Sequence, residues 1–120
     1  MLSFVFASHA VSAKAVIGNG TVFHHHALGC TVHGKCVIGS DDHIFPNVTI
    51  GSKWSNGVCE GDSPQIGDRV FIGAGAVLLG DIKIGDDVII GSNAVVTCDV
   101  PSNSIAIGIP AQIKSRKRVD

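Results

Sequence analysis

A six-residue period rules the second half of this chain. Ile66, Ile72, Leu78, Ile84, Ile90 and Val96 are branched aliphatics spaced by six. Four residues after each stands a second small or aliphatic residue: Val70, Ala76, Ile82, Val88, Ala94 and Val100. Glycine directly follows four of the first set, at Gly67, Gly73, Gly85 and Gly91. A helix repeats at about 3.6 and a strand at about 2, so neither sustains a six. A solenoid of short strands joined by tight turns does, because each unit sends one aliphatic inward and then turns. The pattern predicts an all-β hexapeptide-repeat β-helix occupying residues 1–120 as one domain, with a short basic tail.

The same phase runs earlier through Val5, Val11, Ile17 and Phe23, and through Val32, Ile38, Ile44 and Ile50. Two steps break it. Phe23 to Val32 is nine residues, and Ile50 to Ile66 is sixteen. Such breaks are loops leaving the coil, and loops on a rigid scaffold are where sites concentrate. The first break holds His24, His25 and His26; the second, an extended loop at about 52–65, holds Trp54, the sole tryptophan.

Hydrophobic residues make up 45% of the chain and charged residues 16%. A small all-β chain that apolar is expected to place some of that surface in a subunit interface. The net charge of −1 gives no reason to expect nucleic acid or a membrane surface as partner. No apolar run approaches the ~20 residues of a membrane span. The apolar start lacks a preceding basic residue, so no signal peptide is expected, and the expected location is cytoplasmic. The four cysteines form no C-x-x-C pair and no zinc spacing; reduced thiols are expected, with Cys30 and Cys36 near inward positions. Asp41-Asp42 and Asp86-Asp87 fall where the repeat turns, and are read as turn residues.

From Ile38 to Ile113 an ordered series of motifs carries a family resemblance: Val48-Thr49-Ile50-Gly51, Pro64-Gln65-Ile66-Gly67-Asp68, Ile72-Gly73-Ala74-Gly75-Ala76, Ile90-Gly91-Ser92-Asn93-Ala94 and Gly108-Ile109-Pro110-Ala111. With His26-Ala27-Leu28-Gly29, they resemble the hexapeptide-repeat acyltransferases, and most nearly the serine acetyltransferase branch. The resemblance implies a left-handed parallel β-helix, a homotrimer with sites at subunit interfaces, and acetyl-coenzyme A as acyl donor. It also implies a histidine general base that activates the acceptor hydroxyl for direct attack on the thioester.

Three departures matter. The six-residue phase starts by Val5, so no counterpart of the helical N-terminal domain of serine acetyltransferases is expected. The position of the aspartate that orients the catalytic histidine holds Ala10, and the Asp-Arg-His-Pro that binds the serine carboxylate is Gly61-Asp62-Ser63-Pro64. An acidic residue there repels a carboxylate. The departures favour a sugar or polysaccharide hydroxyl as acceptor. Serine acetyltransferase, sugar N-acetyltransferase and a non-catalytic β-helix oligomerisation module remain the alternatives.

Acyl transfer to a hydroxyl needs a base active near neutrality, usually histidine. Counting back from Val32 and matching His-Ala-x-Gly favours His26, while counting forward from Gly18-Asn19-Gly20 favours His25. His24 and Trp54 are candidates for holding the acceptor. The resemblance matches Gly73, Ala74, Gly75, Gly91, Ser92 and Pro110 to coenzyme A contacts, and Lys114 and Lys117 are candidates for its phosphate. No metal is expected, since the six histidines lack the five-residue pair of the hexapeptide-repeat zinc enzymes.

Overall fold

The computed structural model describes residues 10–55 and 58–116. Val5, His9 and Lys117 lie outside them, as does the side chain of Trp54. The chain winds as a left-handed parallel β-helix. The first coil has strands β1 (Ala10–Val11), β2 (Val16–Ile17) and β3 (Val22–Phe23). The second has β4 (Thr31–Val32), β5 (Val37–Ile38) and β6 (His43–Ile44). The third has β7 (Thr49–Gly51), a hairpin of β8 (Lys53–Ser55) and β9 (Val58–Glu60), then β10 (Gln65–Ile66) and β11 (Phe71–Ile72). The fourth has β12 (Val77–Leu79), β13 (Lys83–Ile84) and β14 (Ile89–Ile90); the fifth has β15 (Val95–Val96) and β16 (Ser104–Ile107). An antiparallel strand, β17 (Gln112–Ser115), closes the last sheet against β16.

Like strands of successive coils stack into three sheets. Sheet A is β1-β4-β7-β12-β15, sheet B is β2-β5-β10-β13, and sheet C is β3-β6-β11-β14-β16-β17. A coil without insertion takes 18 residues, as in Thr31↔Thr49 and Val77↔Val95. Val16↔Val37 differs by 21, the three extra residues of the histidine insert. Val37↔Gln65 differs by 28, the ten extra residues of the long loop. The two breaks in the period are therefore accommodated without disturbing the strands on either side.

The inward aliphatics form one core. Ile38, Ile44, Ile50, Ile72, Leu78, Ile90 and Val96 are each at most 1% exposed, and the companions Ala76, Val88 and Ala94 are wholly buried. Cys30 and Cys36 are buried within it, as their spacing predicts, and Cys30, Cys36 and Cys98 are free thiols. Ile17, in the first described coil, is 38% exposed. Val100 departs from its sequence reading. Coil five is two residues short, Ile89 pairing with Ile105, so Val100 bridges Ile84 and joins the first inward set.

Corners turn through single left-handed residues, among them Asp41, Asn47, Arg69, Asp87, Asn93 and Asn103. Short polar side chains tolerate that region best. On the B–C edge, Asp68 Oδ1 accepts from Ser40 N at 2.9 Å, and Asp86 Oδ1 from Asp68 N at 2.8 Å. Asp41, Asp86 and Asp87 are thus turn residues, as expected, but Asp42 is not. It occupies the inward column held by Val70 and Val88 in later coils, wholly buried, with Oδ1 accepting from Val70 N at 2.7 Å. Burial, partly offset by that bond, pushes its carboxyl up to about 6, with Asp68 and Asp86 adding to the rise.

Candidate active site on one edge of the prism

The C–A edge gathers most of the predicted site. The histidine insert follows β3 and precedes β4; Pro46-Asn47, Gly73-Ala74-Gly75, Gly91-Ser92-Asn93 and Gly108-Ile109-Pro110 occupy the same corner of the next coils. Backbone bonds tie them in register. Asn47 N donates to Leu28 O at 2.9 Å, Gly75 N to Pro46 O at 3.0 Å, Asn93 N to Ala74 O at 2.9 Å, and Val95 N to Gly108 O at 3.0 Å.

The predicted coenzyme contacts divide. Ala74 and Ser92 are exposed and short, leaving the coil backbone approachable along this edge. Gly73 is buried, and a Cβ there would lie 2.6 Å from Ser92 N, so coil stacking by itself requires glycine. Gly91 is similar, a Cβ meeting Ile107 Cγ2 at 2.6 Å, while Gly75 turns the chain at φ 75°. Pro110 is exposed where the chain leaves the prism, and Lys114 is exposed on β17 across from Ile105. Arg116 instead turns to the B–C edge, donating to Asp87 O at 3.2 Å.

The insert is a turn over His24–Ala27 whose last three residues, His25, His26 and Ala27, have φ of 55°, 58° and 57°. Left-handed backbone costs a non-glycine residue about 1–2 kcal/mol, so three in succession need support. Leu28 N donates to His25 O at 3.2 Å and Cys30 N to Ala27 O at 2.9 Å, which fixes the exit. At the entry, His24 Nε2 lies 2.9 Å from His43 Nδ1, and its ring stacks on Phe45 with centroids 4.3 Å apart and planes within 8°. Such a stack contributes about 0.5–1.5 kcal/mol. Phe45 in turn meets Phe71 at 4.8 Å. His25 and His26 are exposed, and their side chains carry no hydrogen bond among the described residues. Of the three histidines, the fold orients His24. Ala10 lies beside Thr31, just past the insert, with only a methyl group to offer. Among the described residues no three metal-binding side chains converge.

Trp54 and the long loop lie elsewhere. The loop leaves sheet A after β7 and returns at β10, on the A–B edge, so one chain does not bring Trp54 beside His24. The loop contains a hairpin pairing Trp54 with Cys59, where only irregular chain was expected. The signal was present: Asn-Gly at 56–57 between two short strand-forming runs is a strong hairpin mark. Where the loop returns, Ser63 is wholly buried, with Oγ 2.8 Å from Ser52 Oγ and 3.0 Å from His33 Nδ1. Lys35 N donates to the same nitrogen at 3.1 Å, so a neutral His33 carries its proton on Nε2. Gly61-Asp62-Ser63-Pro64 lacks an imidazole of its own, and His33 of the coil before lies beside its Ser63. Beneath, burial pushes the Cys36 thiol up, partly offset by Ser63, which keeps it a neutral core group. On the loop's other side a cavity of about 310 Å³ is lined by Lys53, Gly61, Gly80, Asp81, Ile82 and Thr97.

Residues 63–98 match the family described as bacterial transferase hexapeptide (six repeats). Over 108 residues the chain is 44% identical to a probable serine acetyltransferase of Oryza sativa subsp. japonica, covering 89% of this chain and 31% of that one. The Mycobacterium tuberculosis serine acetyltransferase is 45% identical over 100 residues, 82% of this chain and 42% of that one. The soybean serine acetyltransferase apoenzyme superposes with a TM-score of 0.83 at 40% identity, over 94% of this chain and 45% of the other. A serine acetyltransferase in complex with CoA gives 0.79 at 37% identity, over 94% and 44%. The chain spans about a third to two fifths of the length of these two curated relatives. All are serine acetyltransferases, so the preference for a sugar or polysaccharide acceptor finds no support among them. By its six-residue repeat, its coiled fold and these likenesses, the chain is similar to the hexapeptide-repeat acyltransferases, and to their serine acetyltransferase branch in particular.

Proposed function

We propose that this protein is an acetyl-coenzyme A-dependent O-acetyltransferase whose acceptor is the hydroxyl of serine or a close hydroxy amino acid. The observation that carries the reading is the C–A edge. The histidine insert, the short exposed corners at Ala74 and Ser92, and the exit at Pro110 follow one another along it. At about 4.8 Å per coil, that line runs for about 19 Å. An extended pantetheine arm fits such a strip, with Lys114 near its far end for a phosphate. Bound there, the donor supplies an activated acetyl thioester.

An imidazole of the insert takes the acceptor's hydroxyl proton as the oxygen attacks the acetyl carbonyl. The new ester C–O bond forms, the C–S bond breaks, and the proton passes to the departing sulfur. The resemblance matches this role to His26, which is exposed and so accessible to an acceptor.

The unit is a homotrimer in this reading. Val22, His43, Phe71, Ile89 and Ile105 form one row across the outer face of sheet C, with Val22 and Phe71 43% and 42% exposed. A row so apolar suits a subunit interface. Thiol release from acetyl-coenzyme A, measured with serine and with a panel of sugars on material sized by light scattering, tests the reading. Serine-dependent release by a trimer is expected. Release with a sugar but not serine would restore the sugar reading; release with neither would refute acyl transfer.

A further inference from the structure

We infer that His43 is a positioning residue for the insert: its hydrogen bond to His24 holds the turn that presents His25 and His26 on the prism edge. The inference rests on the acyl-transfer reading above. Consecutive left-handed residues persist only where their surroundings over-determine them. The insert's own backbone bonds, from Leu28 and Cys30, secure only its exit. At its entry, Phe23 makes no side-chain cap, and His24 is the residue with side-chain partners.

Both partners of His24 belong to coil two. His43 lies in β6, paired on either side with Val22 and Phe71, and its backbone N–H donates to Val70 O at 2.8 Å. Phe45 follows on the same strand end and is packed against Phe71. The anchor is therefore part of the sheet, while the piece it holds is not. A catalytic group on a loop needs such a support to stay within the tolerance of the reaction. Ala10 leaves no carboxylate beside the insert to serve instead.

The contact also joins the two rings through one shared hydrogen. One ring donates and the other accepts across the 2.9 Å contact.

The test uses the side-chain geometry. Asparagine places a polar atom near the site of histidine Nδ1, and glutamine near that of Nε2. His43→Ala is expected to lower kcat by about tenfold to a hundredfold, the scale of a small misplacement, with KM for acetyl-coenzyme A unchanged. His43→Asn should recover most of that loss, and His43→Gln should not. His24→Phe, which keeps a ring on Phe45 but removes the bond, should match His43→Ala, and combining the two should add nothing further. Circular dichroism and thermal unfolding confirm that each variant is folded. If His43→Ala retains wild-type kcat, or asparagine and glutamine behave alike, the positioning role is wrong although acyl transfer stands. If the wild type transfers acetyl to no acceptor, the reading fails and this role fails with it.

Discussion

Replacing Asp42 by asparagine is expected to stabilise the protein above about pH 6 and to change little near pH 4. Asp42 is wholly buried, and its Oδ2 has no hydrogen-bond partner among the described residues. Burial first, then the charges of Asp68 and Asp86, lift its carboxyl from 3.8 to about 6, against the bond from Val70 N. The folded protein thus holds this proton more tightly than the unfolded chain. The stabilising contribution is complete below the unfolded value of 3.8 and is lost as pH rises through about 6. About two units, at about 1.4 kcal/mol each, set the loss at about 3 kcal/mol. Asparagine keeps an acceptor for Val70 N and carries no charge to bury. Urea unfolding at about pH 4 and pH 7.5, at one protein concentration because oligomer stability depends on it, measures the difference. The variant should gain about 1–3 kcal/mol at the higher pH and lie within about 0.5 at the lower. Equal stabilities at pH 7.5, or a wild type whose stability is flat between the two, would refute the buried-charge account.

Ile90→Ala empties a fully buried position at the centre of sheet C and should cost about 2–5 kcal/mol in the same titration; a loss below about 1 kcal/mol would mean that the coils close over the gap. Lys114→Ala should weaken coenzyme A binding several-fold by calorimetry at low salt and hardly at high salt, since exposed charge pairs are screened. Equal affinity at low salt would place the phosphate elsewhere.

The coiled architecture was legible because a period of six leaves few alternatives. The inward set from Val32 to Val96 is buried as the spacing predicts, and the breaks of three and ten residues reappear in the strand register. Candidate site residues on the C–A edge were legible by resemblance. Their surroundings were not: that the next coil by itself requires glycine at Gly73 depends on Ser92, nineteen residues on. His43 gave no signal as part of the site, because its partner His24 is nineteen residues away. Asp42 was read as one half of a turn pair because adjacency in sequence hides that its neighbour faces solvent while it faces the core.

The sequence by itself determined the coil, its inward column and the two places where the chain leaves it. Periodicity fixes those because each depends only on residues six apart. The tertiary structure decided which prism edge each insertion occupies, that Trp54 and His24 lie on different edges of one chain, and that His24 rather than His26 is held. These depend on neighbours in adjacent coils, and such neighbours are set by the winding of the whole solenoid and the length of every insertion between them.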